Sequence, residues 1–369
     1  MKKIGLITYT KSPNYGAALQ LFATYVTLKD MGYDISIINY QNDFESEKHG
    51  IKYLFSGIGI KEIARELISS YIFGVKKNAK HNFTHFYQQM KYSPKLESIN
   101  ELSLIGDYDV YCVGSDQVWN PRITNGFDDV FILNTALPIK KISYASSMGS
   151  CTLDGYSDEI FIKSLKTFKY ISVREKIAYK YLSAKINKDI KQVVDPTMLI
   201  ERGNWNKLID LHSAGETPAK EKYVLIYALG GQFEKNRLLA NIIASKIGAK
   251  IYAISLSNRN RKIDKVITNA TPLDFVRYIR SASFVVTNSF HGTCLSIIMR
   301  TPFYSVVFGS NPARAEDLLL TLGLSRRLYH EGDPVCEELL GKDDLNGITE
   351  TIKTLSNDSR EWLQQAIDG

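Results

Sequence analysis

The apolar positions of the first forty residues change rhythm twice. A run over 4–10, with Ile4, Leu6 and Ile7, predicts a strand. A polar loop follows over 11–16, and Leu21, Tyr25 and Leu28 then fall on one stripe of a predicted helix over 17–31. A second apolar run over 35–40 predicts another strand, so the segment reads as a βαβ unit with parallel strands and a right-handed crossover. Strands are predicted again over 109–113, 142–145, 170–173 and 192–194, with a helix over 175–184. Past a polar stretch holding Gly215 and Pro218 the alternation restarts. Strands are predicted over 223–229, 250–256, 283–288 and 303–308, and helices over 233–247, 272–280, 313–322 and 348–366. Thr271 is placed to cap the helix that opens at Pro272. The pattern predicts an α/β protein with two Rossmann-like domains, over 1–205 and 206–369, facing a cleft, with the last helix a candidate to pack back on the N-terminal domain.

Residues 41–100 break the rhythm. They are helical in pattern, rich in lysine and aromatics, and include Lys77, Lys80 and His81. They read as a helical insertion with a solvated basic face. A sharper reading is peripheral contact with a membrane or a lipid-linked acceptor, through Tyr53-Leu54-Phe55 and Tyr71-Ile72-Phe73.

Composition narrows the class. A chain of 369 residues with 44% apolar and 23% charged residues has room for two cores and fits an ordinary globular protein. The net charge of +7 suits acidic or phosphorylated ligands, but no dense Lys/Arg stripe or recognition motif points to nucleic acid. Cys112, Cys151, Cys294 and Cys336 lack metal-ligand spacing, so a zinc site is not expected. The run after Met1-Lys2-Lys3 is too short for a signal peptide, and no stretch has the roughly 18 to 20 apolar residues of a membrane span. A cytoplasmic enzyme is the expectation.

Five loops follow predicted strands, where ligands bind in open α/β sheets. In the first, Asn14-Tyr15-Gly16-Ala17, the small residues would let a ligand approach a helix start, or Gly16 only makes the turn. In the second, Gly114-Ser115-Asp116-Gln117-Val118-Trp119, Asp116 is placed to act as a base toward a hydroxyl or to close an Asx turn, and Trp119 to stack on a sugar or to pack. Arg174 ends a strand in Ser172-Val173-Arg174-Glu175 and matches a carboxylate or phosphate, or makes a salt bridge. Asp195-Pro196-Thr197 reads as a fixed turn with Asp195 structural. The fifth, Thr287-Asn288-Ser289-Phe290-His291-Gly292-Thr293, puts a histidine where a strand hands over to a helix, beside backbone N–H groups that favour an anion. His291 there is an acid–base candidate or a cap of the turn.

Taken in order, these five segments resemble the polysaccharide pyruvyl transferase family, and the resemblance runs from near the N-terminus to about residue 308. It implies a GT-B-like fold and transfer of the carbon skeleton of phosphoenolpyruvate, as a ketal, to sugar hydroxyls of a cell-surface polysaccharide or its precursor. The family's acidic residue maps onto Asp116 as base toward the acceptor, its strand-end arginine onto Arg174, and its histidine onto His291 as acid or phosphate partner. Asn14, Tyr15, Gly16, Ser115, Trp119, Ser289, Gly292 and Thr293 are the further substrate-binding candidates, with the N–H groups near Gly292 and Thr293 holding donor anions. The implied partners are phosphoenolpyruvate and a free or lipid-linked oligosaccharide at the inner face of the membrane, with no metal and no other cofactor. One position departs from the family. Several members carry a cation two residues before the histidine, where this chain has Ser289, and Arg277, Arg300 and Arg314 are the candidates to replace it. Competing readings are a GT-B glycosyltransferase using a nucleotide sugar and an inactive sugar-binding relative.

Overall fold

A computed structural model describes residues 1–42, 81–149, 153, 156–212, 221–229, 232–255, 263–307 and 313–369. It contains two parallel sheets. In the first, β1 (Lys3–Ile7), β2 (Asp34–Asn39), β3 (Tyr92–Lys95), β4 (Val110–Val113), β5 (Lys141–Ser146), β6 (Tyr170–Val173) and β7 (Ile190–Gln192) lie in the order β3-β2-β1-β4-β5-β6-β7. In the second, β8 (Tyr223–Tyr227), β9 (Lys250–Ile254), β10 (Lys265–Ile267), β11 (Phe284–Thr287), β12 (Phe303–Val307) and β13 (Leu328–His330) lie in the order β10-β9-β8-β11-β12-β13. Each half thus has its strand order reverse once, between β1 and β4 and between β8 and β11, and such switch points are where open α/β sheets bind ligands. The central strands are apolar throughout because helices cover both faces.

Three strands were not expected. β3 is an edge strand containing Pro94, and β10 and β13 are three residues long, so none carries an apolar run. β3 also shortens the insertion predicted over 41–100. Residues 43–80, with both apolar triplets, lie outside the described residues. The described end of the segment is helical over 81–87 and two-sided, with Phe83, Phe86, Tyr87 and Met90 buried and His81, Thr84 and His85 exposed.

The first helix, Tyr15–Asp30, also departs from expectation. It is buried nearly all round, with Gln20, Thr24 and Thr27 inside and Tyr25 only half-buried. A single stripe fails here because the helix lies between its own sheet and the second half. Tyr15 stacks on Phe275 at 4.8 Å and donates to the Ala270 carbonyl. One core cluster accordingly runs from Ile4 through Tyr15 to Phe275 and Ile367. The helix Pro272–Ser281 carries the expected cap as a reciprocal box between Thr271 and Asp274. The C-terminal helix, Thr349–Asp368, docks on the first half. Lys2 and Lys140 donate to the Ile367 carbonyl, favourable cations at a helix C-terminus, and Arg360 Nε donates to the Leu199 carbonyl. No helix among the described residues is long and apolar enough to cross a membrane.

Candidate active site

The strand ends of the first half build a charged hub. β4 runs into Gly114, whose φ of +110° and proximity to the Tyr144 carbonyl (2.4 Å from a built Cβ) exclude any side chain. Asp116 follows in the left-handed region, φ +68°, which aspartate tolerates, and its Oδ1 accepts from the Gln117 N–H. β6 ends in Arg174. Its side chain is 3% exposed and its nitrogens are distributed among three carboxylates: Nε donates to Glu175 at 2.8 Å, Nη1 donates to Asp195 at 2.8 Å, and Nη2 lies 3.8 Å from Asp116. Nη2 is buried and has no hydrogen-bond partner. Asp195 is itself positioned by the turn after β7, where Oδ1 accepts from the Thr197 N–H and hydroxyl.

The second half supplies the histidine. β11 ends at Thr287 and the helix Phe290–Met299 follows, so His291 stands in its first turn. Nε2 of His291 lies 3.4 Å from Oδ2 of Asp195, an ion-pair distance with no hydrogen bond formed. The other face of the ring presses on the first helix of the opposite half: a Cβ on Gly16 would fall 2.2 Å from His291 Nδ1. Asp116, Arg174, Asp195 and His291 therefore form one chain of ionisable groups across the two halves.

Electrostatics follow from this packing. Burial works against the Arg174 charge, but Glu175, Asp195 and Asp116 outweigh it, so the guanidinium titrates above the ordinary arginine value. Burial likewise opposes the Asp195 charge, yet His291, Arg174 and the Thr197 N–H hold its carboxyl well below the usual range. Phe290 lies under the Arg174 guanidinium, 4.3 Å from the ring centre, and Arg314 approaches the same ring at 5.9 Å. A cavity of about 200 Å³ opens here, with Arg174, Asp195, Phe290 and Arg314 in its wall. Among the described residues no group of three or more His, Cys, Asp or Glu side chains is arranged to hold a metal.

Several sequence-predicted residues have other tasks. Trp119 is fully buried, donates to the Phe131 carbonyl and packs on Phe161, so it stacks on no sugar. Ser115 is also fully buried and donates to Ala145. Asn14 caps the first helix at the Ala17 N–H, and Tyr15 joins the halves. Gly16 makes room for the histidine ring rather than for a ligand. Ser289 is the N-cap of the histidine helix, accepting from the Gly292 N–H, and the Thr293 N–H donates to the Ser289 carbonyl. Those two N–H groups are thus engaged inside the helix and hold no donor anion, while the Thr293 hydroxyl pairs with Ser305. Of the three replacement arginines, Arg277 is ion-paired with Asp274, Arg300 closes the far end of the histidine helix, and only Arg314 reaches the cavity. Asp195, expected to be only structural, and Glu175, given no role by the sequence, both join the site, and both follow strands on the same sheet edge as Asp116.

Comparison with known proteins bears on both fold and site. The family model described as Polysaccharide pyruvyl transferase matches residues 14–310. No curated protein matches the chain. Among solved structures it resembles a putative UDP-N-acetylglucosamine 2-epimerase from Listeria monocytogenes, with a TM-score of 0.53 and 12% identity over 96% of this chain and 90% of that one. It also resembles a UDP-GlcNAc 2-epimerase from Neisseria meningitidis bound to UDP-GlcNAc, with a TM-score of 0.51 and 11% identity over 100% of this chain and 99% of that one. At such identities the likeness is one of fold, two parallel α/β halves of GT-B type.

Proposed function

The chain belongs to the polysaccharide pyruvyl transferase family, and from that premise we propose that it moves the pyruvyl group of phosphoenolpyruvate onto hydroxyls of a polysaccharide or its precursor. One acceptor hydroxyl adds across the enol double bond: its oxygen joins C2, and C3 gains a proton. Phosphate leaves C2, and a second hydroxyl of the same sugar closes the ketal. The reaction therefore needs a base at the acceptor, a proton donor, and positive charge near the departing phosphate.

The observation that carries this reading is the unbroken sequence Asp116–Arg174–Asp195–His291 across the cleft. Asp116 keeps Oδ2 without a hydrogen bond among the described residues, which suits it to take the proton of an acceptor hydroxyl. His291 is oriented by Asp195 on one side and by Gly16 on the other, as a proton donor must be held. Asp195 acts through His291 and Arg174 and is a positioning residue. Arg174 Nη2, buried, 3.8 Å from Asp116 and without a hydrogen bond among the described residues, is the part of that guanidinium left for a donor oxygen.

Phosphate release from phosphoenolpyruvate, assayed with sugar or lipid-linked oligosaccharide acceptors, tests the reading. Folded His291→Ala and Asp116→Asn variants are expected to lose about 10²–10⁴-fold in turnover. Near-wild-type turnover by His291→Ala would remove the assignment. Thermal stabilisation of the wild type by a nucleotide sugar but not by phosphoenolpyruvate would transfer the protein to the glycosyl-transfer reading.

A further inference from the structure

Arg174 is crowded by carboxylates, whereas Arg314 pairs directly with none. Among the described residues Arg314 forms no ion pair or hydrogen bond, and Glu175 and Asp116 act on it only from a distance. Three features make its position unfavourable as it stands. It is half-buried, it stands in the first turn of the helix Ala313–Thr321, where the helix dipole is positive, and it shares the Phe290 ring with a second guanidinium. Burial and the Arg174 charge push its pKa down, and the opposing pull of Glu175 and Asp116 does not cancel them. The acid closest along its own helix face does not answer it, because Asp317 accepts from the Lys176 N–H at 2.7 Å and from Gln192 at 3.1 Å. An anion in the cavity would relieve all three penalties at once.

A second, independent observation points into the same space. Nη2 of Arg174 is buried without a hydrogen-bond partner, and both arginines line the cavity of about 200 Å³. That volume is below the roughly 300–1,000 Å³ of pockets for drug-sized ligands, so the occupant is small. Ser289 cannot help, being neutral and engaged as the helix cap.

We propose that Arg314 is the principal anion-holding residue of this site, gripping the phosphate or carboxylate of a small phosphorylated acid whose other oxygen meets Arg174 Nη2. The proposal rests on the reading of phosphoenolpyruvate as donor only for the identity of the acid, not for the anion site itself. Arg314 lies beyond the stretch that the family model matches, on the helix that follows β12.

Calorimetric binding of phosphoenolpyruvate and of inorganic phosphate to wild type, Arg314→Ala, Arg314→Lys and, as control, Arg300→Ala tests it, with thermal melts to establish folding. Loss of one charge-assisted contact predicts binding about ten- to a hundredfold weaker in Arg314→Ala. Partial recovery is expected in Arg314→Lys, which keeps the charge but not the fork, and no change in Arg300→Ala. Equal binding by folded Arg314→Ala and wild type would overturn the proposal, as would a wild type that binds neither ligand. A wild type that binds phosphate in an Arg314-dependent way yet never turns over phosphoenolpyruvate would support the anion site and refute the donor reading.

Discussion

Arg174 and Arg314 approach one phenyl ring from opposite halves of the molecule, and they differ in almost everything else. Arg174 is enclosed by Glu175, Asp195 and Asp116, with a single nitrogen left over. Arg314 stands in the first turn of a helix and forms no ion pair among the described residues, with Glu175 and Asp116 acting on it only from a distance. A strand-end arginine in a cleft is ordinarily read as the ligand's partner. Here the carboxylates that hold it in place also consume most of its capacity for anions. The first half therefore contributes a framework of paired charges around Asp116 and Asp195, and the second half contributes an arginine with no direct ion pair among the described residues.

The sharpest way to break that comparison is to weaken the framework. Asp195→Asn removes the charge between Arg174 and His291 while keeping an acceptor for Thr197. Breaking a buried pair by removing one partner is expected to destabilise the fold by about 3 kcal/mol, measured by urea unfolding at neutral pH. The pH dependence has a definite sign. Because the Asp195 carboxyl titrates below its unfolded value of about 3.9, the stability it contributes is fully present above about pH 4 and is lost as pH falls through the depressed value. The wild type should lose stability in that acid window and Asp195→Asn should lose much less. Parallel curves for the two proteins would mean that Asp195 is not the charge holding the halves' network together.

Less damaging to stability, but damaging to chemistry, is Gly16→Ala. The new methyl group would sit 2.2 Å from His291 Nδ1, so the ring or the first helix has to move. A displacement of about 1 Å at a catalytic group costs on the order of 10²-fold, and turnover is expected to fall by that amount with substrate binding at Arg314 retained. Were Gly16→Ala to lose affinity and keep turnover, the glycine would be facing the ligand as its sequence context first suggests.

The difference between the two arginines marks what was legible in the sequence. Strand-ending motifs located Asp116, Arg174 and His291, because a parallel α/β sheet gathers its strand ends at one edge and the order of motifs follows the order of strands. What stayed hidden was partnership. Nothing in Asp195-Pro196-Thr197 says that its carboxylate crosses to both Arg174 and His291, since that depends on how the halves meet. Trp119 was open to stacking on a sugar and Tyr15 was a substrate-binding candidate, yet large aromatics beside a site also fill the core under it, and both are buried. Gly16 was legible as a glycine needed for close approach, but not that the approaching group is a histidine from 275 residues away rather than a substrate. β3 was missed because a proline-bearing edge strand has neither the apolar run of a buried strand nor a donor at every position.

The smallest effect separates the two tasks that Ser289 could have. Its hydroxyl accepts from the Gly292 N–H at 3.3 Å, and the residue is 4% exposed. If capping is its whole role, Ser289→Ala should cost about 1 kcal/mol and lower the melting temperature by about 2–4 °C. The KM for phosphoenolpyruvate should stay at the wild-type value, because the anion's charge partner stands on another helix. Ser289→Asp sharpens the same point. Aspartate caps as well as serine does, so the helix is satisfied, but it places a negative charge next to Phe290, whose ring lies in the cavity wall between Arg174 and Arg314. Affinity for the anion should then fall while capping persists. A Ser289→Ala variant with unchanged melting temperature and a KM raised as far as in Arg314→Ala would reverse the assignment, making Ser289 a ligand contact and Arg314 only one member of a wider anion site.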